Sequence, residues 1–306
     1  MRGLILRSAG KWYKVRTEEG KLVEAQIKGK IRLLELNVTN PIAVGDYVKL
    51  EKYDTTWIIS EIEERKNFII RLSPKKETLK QVIASNIDQA ILVVTLHKPR
   101  TSTGFIDRFL LTAEAYHIPT IIVFNKQDAI RERDIEKQEE LISLYKNIGY
   151  QILLTSTISN IGISEFKDLM KDKTSLLSGH SGVGKSSLAN IVDSNLNLKT
   201  KNVSKKFNKG VHTTTHAQMY ELPFGGNIID VPGIKEFGIA YFDKYEVAQY
   251  FIEFKEISHK CKFSDCLHIN EPKCAIKNAV NIGEIHTERY FNYLNIIESI
   301  EDLKKW

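Results

Sequence analysis

The run Gly179-His180-Ser181-Gly182-Val183-Gly184-Lys185-Ser186 satisfies the spacing GxxxxGK[ST] in full. Glycines at these points let backbone N–H groups curl around phosphate oxygens, and a helix opening directly afterwards adds the partial positive charge of its N-terminus. In such a loop Lys185 reaches the β- and γ-phosphates, the Ser186 hydroxyl ligates Mg²⁺, and Ser187 begins the helix behind them. The short apolar stretch Ser175–Leu177 precedes the loop, which supplies the strand–loop–helix context the motif requires. Nucleotide binding is the expectation.

A second acidic element, Asp230-Val231-Pro232-Gly233, follows the apolar stretch Asn227–Ile229. Asp-x-x-Gly alone is a common turn, but at the end of a buried strand Asp230 is placed to hold the metal through water. The Gly233 N–H is then placed to sense the γ-phosphate. Between the two elements lies Gly210-Val211-His212-Thr213-Thr214-Thr215, where Thr214 or Thr215 completes the Mg²⁺ shell in a loop that orders with the triphosphate. The residue after Gly233 is Ile234, which can neither orient nor polarise water. Slow intrinsic hydrolysis, accelerated by whatever orders these loops, is expected. His180 either packs beside the phosphate loop or acts in catalysis, and packing is the commoner fate of such a position.

The base is read elsewhere. Asn125-Lys126-Gln127-Asp128 sits at the carboxyl end of the apolar stretch Thr120–Phe124, where ligands meet parallel sheets. An aspartate there accepts from both N1–H and the exocyclic amine of guanine, a donor pair adenine lacks, and the four residues match the guanine-selecting NKxD pattern. Ser156-Thr157, after the next strand, takes the place of a loop that supports the base from behind. In the usual order the phosphate loop comes first and NKxD near the end. Here NKxD precedes the loop and Asp230 comes last, which is a circular permutation of one sheet, topologically cheap because domain termini tend to lie close together.

All three cysteines fall between Cys261 and Cys274. With His268, the set Cys261, Cys266, His268 and Cys274 offers three thiolates and an imidazole, suited to one tetrahedral, structural zinc ion. An odd count argues against disulfides, whereas unliganded buried cysteines remain an alternative, as do His259 or His286 in place of His268.

These residues need elements to position them. Leu4–Arg7, Trp12–Thr17, Leu22–Ile27, Tyr47–Leu50 and Thr56–Ile62 read as five short strands, a small barrel of OB type or, alternatively, SH3-like. From Ser85 strands and helices alternate. Ala90–Val94 and Thr120–Phe124 are continuous apolar runs, as in strands buried on both faces. Ile106, Phe109, Leu110 and Ala113 mark one helix, and Leu141, Ile142, Tyr145 and Ile148 mark another that Gly149 ends. Beyond Phe237, Val247–Ile257 and His286–Leu303 read as helices. The fold class is therefore multidomain: an OB-like β-barrel (1–70), a central α/β permuted phosphate-loop domain (71–237, with 71–84 as linker) and a small helical zinc module (238–306).

Composition narrows the classes. The 306 residues carry 44 Lys+Arg against 38 Asp+Glu, and residues 1–82, with 17 basic and 11 acidic, hold the whole surplus. Five lysines without an acid lie between Asn195 and Tyr220. Two basic zones suit a polyanionic partner, although solvated lysine faces would account for them equally well. No apolar run approaches the ~18 residues of a membrane helix, and the start is too short in apolar residues for a signal peptide, so a cytoplasmic protein is the default. The absence of heptads favours a monomer.

The combination of barrel, NKQD before GHSGVGKS, DVPG, GVHTTT and a Cys-His-Cys module resembles the ribosome small subunit-dependent GTPase A family over essentially the whole chain. That resemblance implies an enzyme hydrolysing GTP to GDP and phosphate, which binds the 30S subunit and 16S rRNA late in assembly and leaves upon hydrolysis. Thr157 stands where the family carries alanine. The competing classes are a nucleotide-gated RNA-binding scaffold with vestigial hydrolysis and an ATP-dependent small-molecule kinase.

Overall fold

The computed structural model describes residues 1–28, 41–73, 76–196, 217–231 and 242–303. Thr214, Thr215 and Gly233 lie outside the described residues.

Five strands build the N-terminal barrel: β1 (Arg2–Ala9), β2 (Trp12–Thr17), β3 (Leu22–Ile27), β4 (Tyr47–Tyr53) and β5 (Thr56–Ile62). β3 runs parallel to β5, and β4 returns antiparallel to β1, so the order β1-β2-β3-β5-β4 closes on itself. That Greek-key path is of the OB type and removes the SH3-like alternative. Ile5, Tyr13, Val15, Val48, Leu50 and Ile59 fill the interior. The barrel is narrow: a Cβ on Gly3 would lie 2.6 Å from Val15 Cγ1. β1 is buried from Gly3 to Leu6, on both faces, because it serves two cores. Ile5 points into the barrel, whereas Leu4 and Leu6, on the other face, join the core of the central sheet.

A buried charge locks the barrel in place. Asp46 accepts from Arg65 at 2.7 and 2.8 Å, from Ser85 Oγ at 2.6 Å and from the Ala43 amide at 2.8 Å. Ser85 ends β7 (Lys76–Ser85), which pairs with β6 (Phe68–Ser73) as a two-stranded antiparallel sheet. The stretch 71–84, a mere connection by sequence, thus carries a long strand. Its pattern is masked by Pro74 and the lysines around it, while Ile69, Val82 and Ala84 are buried.

The central sheet is parallel in the order β10-β9-β8-β11-β13, from β8 (Gln89–Val94), β9 (Thr120–Asn125), β10 (Gln151–Thr155), β11 (Thr174–Ser178) and β13 (Asn227–Asp230). Every residue of β8 and β9 is buried, as continuous apolar runs require. β12 (Gln218–Glu221) adds an antiparallel margin and touches β1 through Arg7 and Gln218, making barrel and sheet continuous. Helices α1 (Thr103–Ala115) and α2 (Ile135–Ile148) cover one face; α3 (Ile163–Met170) and α4 (Lys185–Val192) cover the other. Ile106, Phe109, Leu110 and Ala113 of α1 all enter the sheet core. Ser102 caps α1 by accepting from the Phe105 amide at 3.2 Å, and Gly149, at φ +112°, ends α2.

The C-terminal part packs α5 (Ile252–Ile257), α6 (Ala275–Asn281) and α7 (Thr287–Leu303) around Phe251, Phe254, Ile276, Tyr293, Ile296 and Ile297. The helix expected over Val247–Ile257 is broken. Val247–Tyr250 is a 3₁₀ turn, Phe251 is extended (φ −96°, ψ 109°), and the α-helix starts at Ile252. The break turns the fully buried Phe251 ring onto Phe254 and Tyr293, at 5.1 and 5.5 Å between centroids, so aromatic packing overrides helical periodicity. Arg289 of α7, 2% exposed, lies at 2.7 Å from Asp107 of α1 and 2.6 Å from Glu253 of α5, and its guanidinium stacks over Phe251. Asp107 also accepts from Tyr145 of α2 and from Asn292.

Candidate functional site

β11 ends at Ser178 and turns into the glycine loop. Gly179 has φ +135°, and a Cβ there would sit 2.2 Å from the Val93 carbonyl of β8. Gly184 has φ +102°, with Asn125 Nδ2 2.3 Å from where its Cβ would be. No other residue type fits either point. Val183 is buried and anchors the loop; Ser181 and Gly182 are exposed, and Lys185, Ser186 and Ser187, half-buried, open α4. Lys185 Nζ donates to Gly179 O at 2.6 Å and His180 O at 2.9 Å.

Asp230 ends β13 opposite Leu177 of β11, one strand over from the loop. Burial depresses the Lys185 pKa, against the attraction of Asp230, and burial raises that of Asp230, against the attraction of Lys185. Two opposed, half-desolvated charges, one opening α4 and the other ending β13, are arranged to take up an anion and a cation together.

The second loop meets the first directly. Asn125 Nδ2 donates to Val183 O at 2.8 Å, while its Oδ1 accepts from Thr155 Oγ1 at 3.0 Å. Lys126, in the left-handed region at φ +66°, sends Nζ to Lys98 O (2.6 Å) and Gly182 O (2.7 Å), and burial lowers its pKa. Asp128 is exposed on the 3₁₀ turn Gln127–Ala129 and accepts from Ser156 Oγ. Ser156, buried, is itself fixed by the Ile158 and Ser159 amides at 3.2 and 3.1 Å; Thr157, half-buried, follows it. The cleft therefore brings Asn125, Lys126, Asp128 and Ser156 to one rim and Gly179–Ser187 to the other. The His180 ring stacks on Phe105 of α1 at 3.8 Å and 29°, which is the packing outcome.

Cys261, Cys266, His268 and Cys274 place one ligand atom each within 4.8 Å of all the others. Cys261 Sγ lies 4.0 Å from Cys274 Sγ and 3.6 Å from His268 Nδ1, and His268 Nδ1 lies 3.3 Å from Cys274 Sγ. Metal–sulfur and metal–nitrogen bonds of about 2.3 and 2.05 Å at tetrahedral angles give edges of about 3.8 and 3.5 Å, so the set fits a metal ion. His259 and His286 do not belong to the group; His286 Nδ1 instead accepts from the Glu288 amide. Burial pushes the Cys266 thiol up to about 12, so a cation is what would ionise it. Glu271 braces the ligand loop, accepting from the amides of Leu267, Ile269 and Asn270.

Sequence motifs missed Phe105, Lys98 and Gln138, whose Nε2 donates to Gln127 Oε1 at 2.8 Å. For Gln138 a signal existed: it shares the helical stripe of Leu141, Ile142 and Tyr145, a polar residue where an apolar one is due.

Two family models match the chain, the RsgA N-terminal domain over residues 2–57 and the RsgA GTPase over residues 62–240. The small ribosomal subunit biogenesis GTPase RsgA of Flavobacterium psychrophilum is 45% identical over 99% of this chain and 94% of that protein. Its counterpart in Phocaeicola vulgatus is 47% identical over 99% and 98%. Among solved structures, YjeQ from Thermotoga maritima superimposes with a TM-score of 0.81 at 36% identity, covering 98% of each chain. YloQ, described as a circularly permuted GTPase, gives 0.76 at 32% identity, covering 98% and 95%. The chain belongs to the RsgA GTPase family and is a phosphate-loop GTP hydrolase.

Proposed function

From that membership and the geometry of the cleft, we propose that this GTPase acts on the small ribosomal subunit. It binds the 30S particle and 16S rRNA in the cytoplasm as a monomer, assists late maturation, and leaves when GTP becomes GDP and phosphate. The observation that carries the reading is the hydrogen bond from Asn125 to Val183 O, which makes the base-reading turn and the phosphate loop one rigid cradle despite their inverted order. In that cradle Asp128, steadied by Ser156, reads guanine; the amides of Gly179–Gly184 and Lys185 neutralise the phosphates. Ser186 and Asp230 would hold Mg²⁺, which supplies charge neutralisation at the β- and γ-phosphates. Thr214 or Thr215 and Gly233 complete the set as switch residues. Zinc on Cys261, Cys266, His268 and Cys274 gives a closed structural site in the module 238–306, while the barrel 1–70 meets RNA and 71–237 turns over nucleotide. Among the described residues no helix is long and apolar enough to cross a membrane.

The test is GTP turnover with purified small subunits, large subunits and neither. Acceleration by small subunits alone is expected; equal rates in all three would overturn the proposal. Ile234, apolar where water must be positioned, favours one second reading, a nucleotide-gated RNA scaffold with vestigial hydrolysis. Normal subunit maturation in a Lys185→Ala strain would support that scaffold instead.

A further inference from the structure

The base-reading motif specifies Asn125, Lys126 and Asp128 and leaves the residue between them open. In this chain that residue is tethered like its neighbours. Gln127 Nε2 donates to Phe124 O at 3.0 Å, and Gln127 Oε1 accepts from Gln138 Nε2 at 2.8 Å. Gln138 lies in the first turn of α2 and is 6% exposed, although Lys137, Glu139 and Glu140 beside it are exposed. A primary amide on the inward stripe of a helix costs desolvation unless it is bonded, and packing alone would be served better by leucine. Its bond goes to the turn that carries Asp128.

We infer that Gln138 is a positioning residue for base recognition. Its amide pair with Gln127 holds the turn Gln127–Ala129 from the helix side, while Ser156 fixes the Asp128 carboxylate from the other. The inference rests on the reading of Asp128 as the guanine contact. Guanine offers that carboxylate an N1–H and an amine; hypoxanthine keeps only the N1–H. The affinity ratio of GDP to inosine diphosphate therefore reports how well Asp128 is aimed, apart from everything the phosphates contribute.

Full-length Gln138→Leu, Gln127→Ala and the double variant are titrated with both nucleotides. Gln138→Leu is expected to weaken GDP about tenfold, the scale of one hydrogen bond to a charged group. The GDP preference over inosine diphosphate should shrink with it. Gln127→Ala, at a half-exposed position that spares the helix, should move the preference the same way, and the double variant should be no worse than the worse single. If both affinities fall by the same factor, or neither changes, Gln138 is only a packing residue and the inference fails. Asp128→Asn tests the underlying reading separately, because an asparagine amide should favour the 2-oxo group of xanthosine diphosphate. If Asp128→Asn leaves the GDP preference intact, the base assignment itself falls. If it abolishes the preference while the glutamine variants leave it unchanged, the positioning role alone falls.

Discussion

The nucleotide cleft and the C-terminal part are built on opposite plans. In the cleft the structural contacts run largely through main chain: Lys126 donates to two carbonyls, Lys185 to two more, Asn125 to a fifth, and glycines sit where no Cβ fits. In the C-terminal part they run through side chains: three thiols and an imidazole, an aromatic cluster, and a guanidinium shared by two carboxylates. The first plan is inherited from the parallel sheet, so it survives a permuted chain order. The second depends on each side chain being the right one.

The contrast can be broken at four points, of descending size. Chelation, or Cys274→Ser, should melt the C-terminal part, since zinc held by such a ligand set is worth on the order of 10–16 kcal/mol. Near-ultraviolet circular dichroism of its tyrosines should collapse while GDP affinity stays within about twofold. GDP binding lost in step with that signal would mean the two plans are one.

Arg289→Ala leaves buried Asp107 and half-buried Glu253 without their counter-charge and should cost about 3–5 kcal/mol in chemical denaturation. The sign of its pH dependence follows from Asp107, whose pKa burial holds above the ordinary value. Ionisation is thus penalised in the folded state, most severely without the arginine. The penalty is present at neutral pH and fades as the carboxyl takes up its proton, so the loss should be smaller in mild acid. A loss that grows with acidity would contradict this.

Gly179→Ala forces a side chain to φ +135° and against the Val93 carbonyl. About 1–3 kcal/mol of strain is expected, with GDP binding weakened, both readable by calorimetry. An alanine variant that binds and melts normally would show that the loop is less determined by its backbone than by its contacts.

Asp230→Asn should abolish turnover yet raise the unfolding free energy slightly, by no more than about 1 kcal/mol, read as a small rise in melting temperature. Burial raises the pKa of this acid, so its charge is a cost to the folded state at neutral pH. The gain should vanish as the pH falls below the ordinary carboxylate range, where aspartate is neutral in both states.

Much of this was legible from residue types alone because the cleft relies on short local patterns. Gly179 to Ser186, Asn125 to Asp128 and the buried runs of β8 and β9 each carry their reason within a few neighbours. The C-terminal part was less legible for the reason that makes it different. The break at Phe251 answers to Tyr293, and the burial of Arg289 answers to Asp107, partners far along the chain. Likewise β7 was hidden by the lysines around Pro74, and Gln138 sits in a glutamate-rich helix whose exposed face dominates its composition.

Helix α1 ties these regions together. Phe105 leans on the phosphate loop, Phe109 and Leu110 lie within the sheet core, and Asp107 and Leu111 face the C-terminal helices. A rod wedged among three neighbourhoods has no slack to lend any of them. Any surface that gripped α7 would therefore hold the mouth of the cleft at a set distance and angle, as a handle fixes its blade.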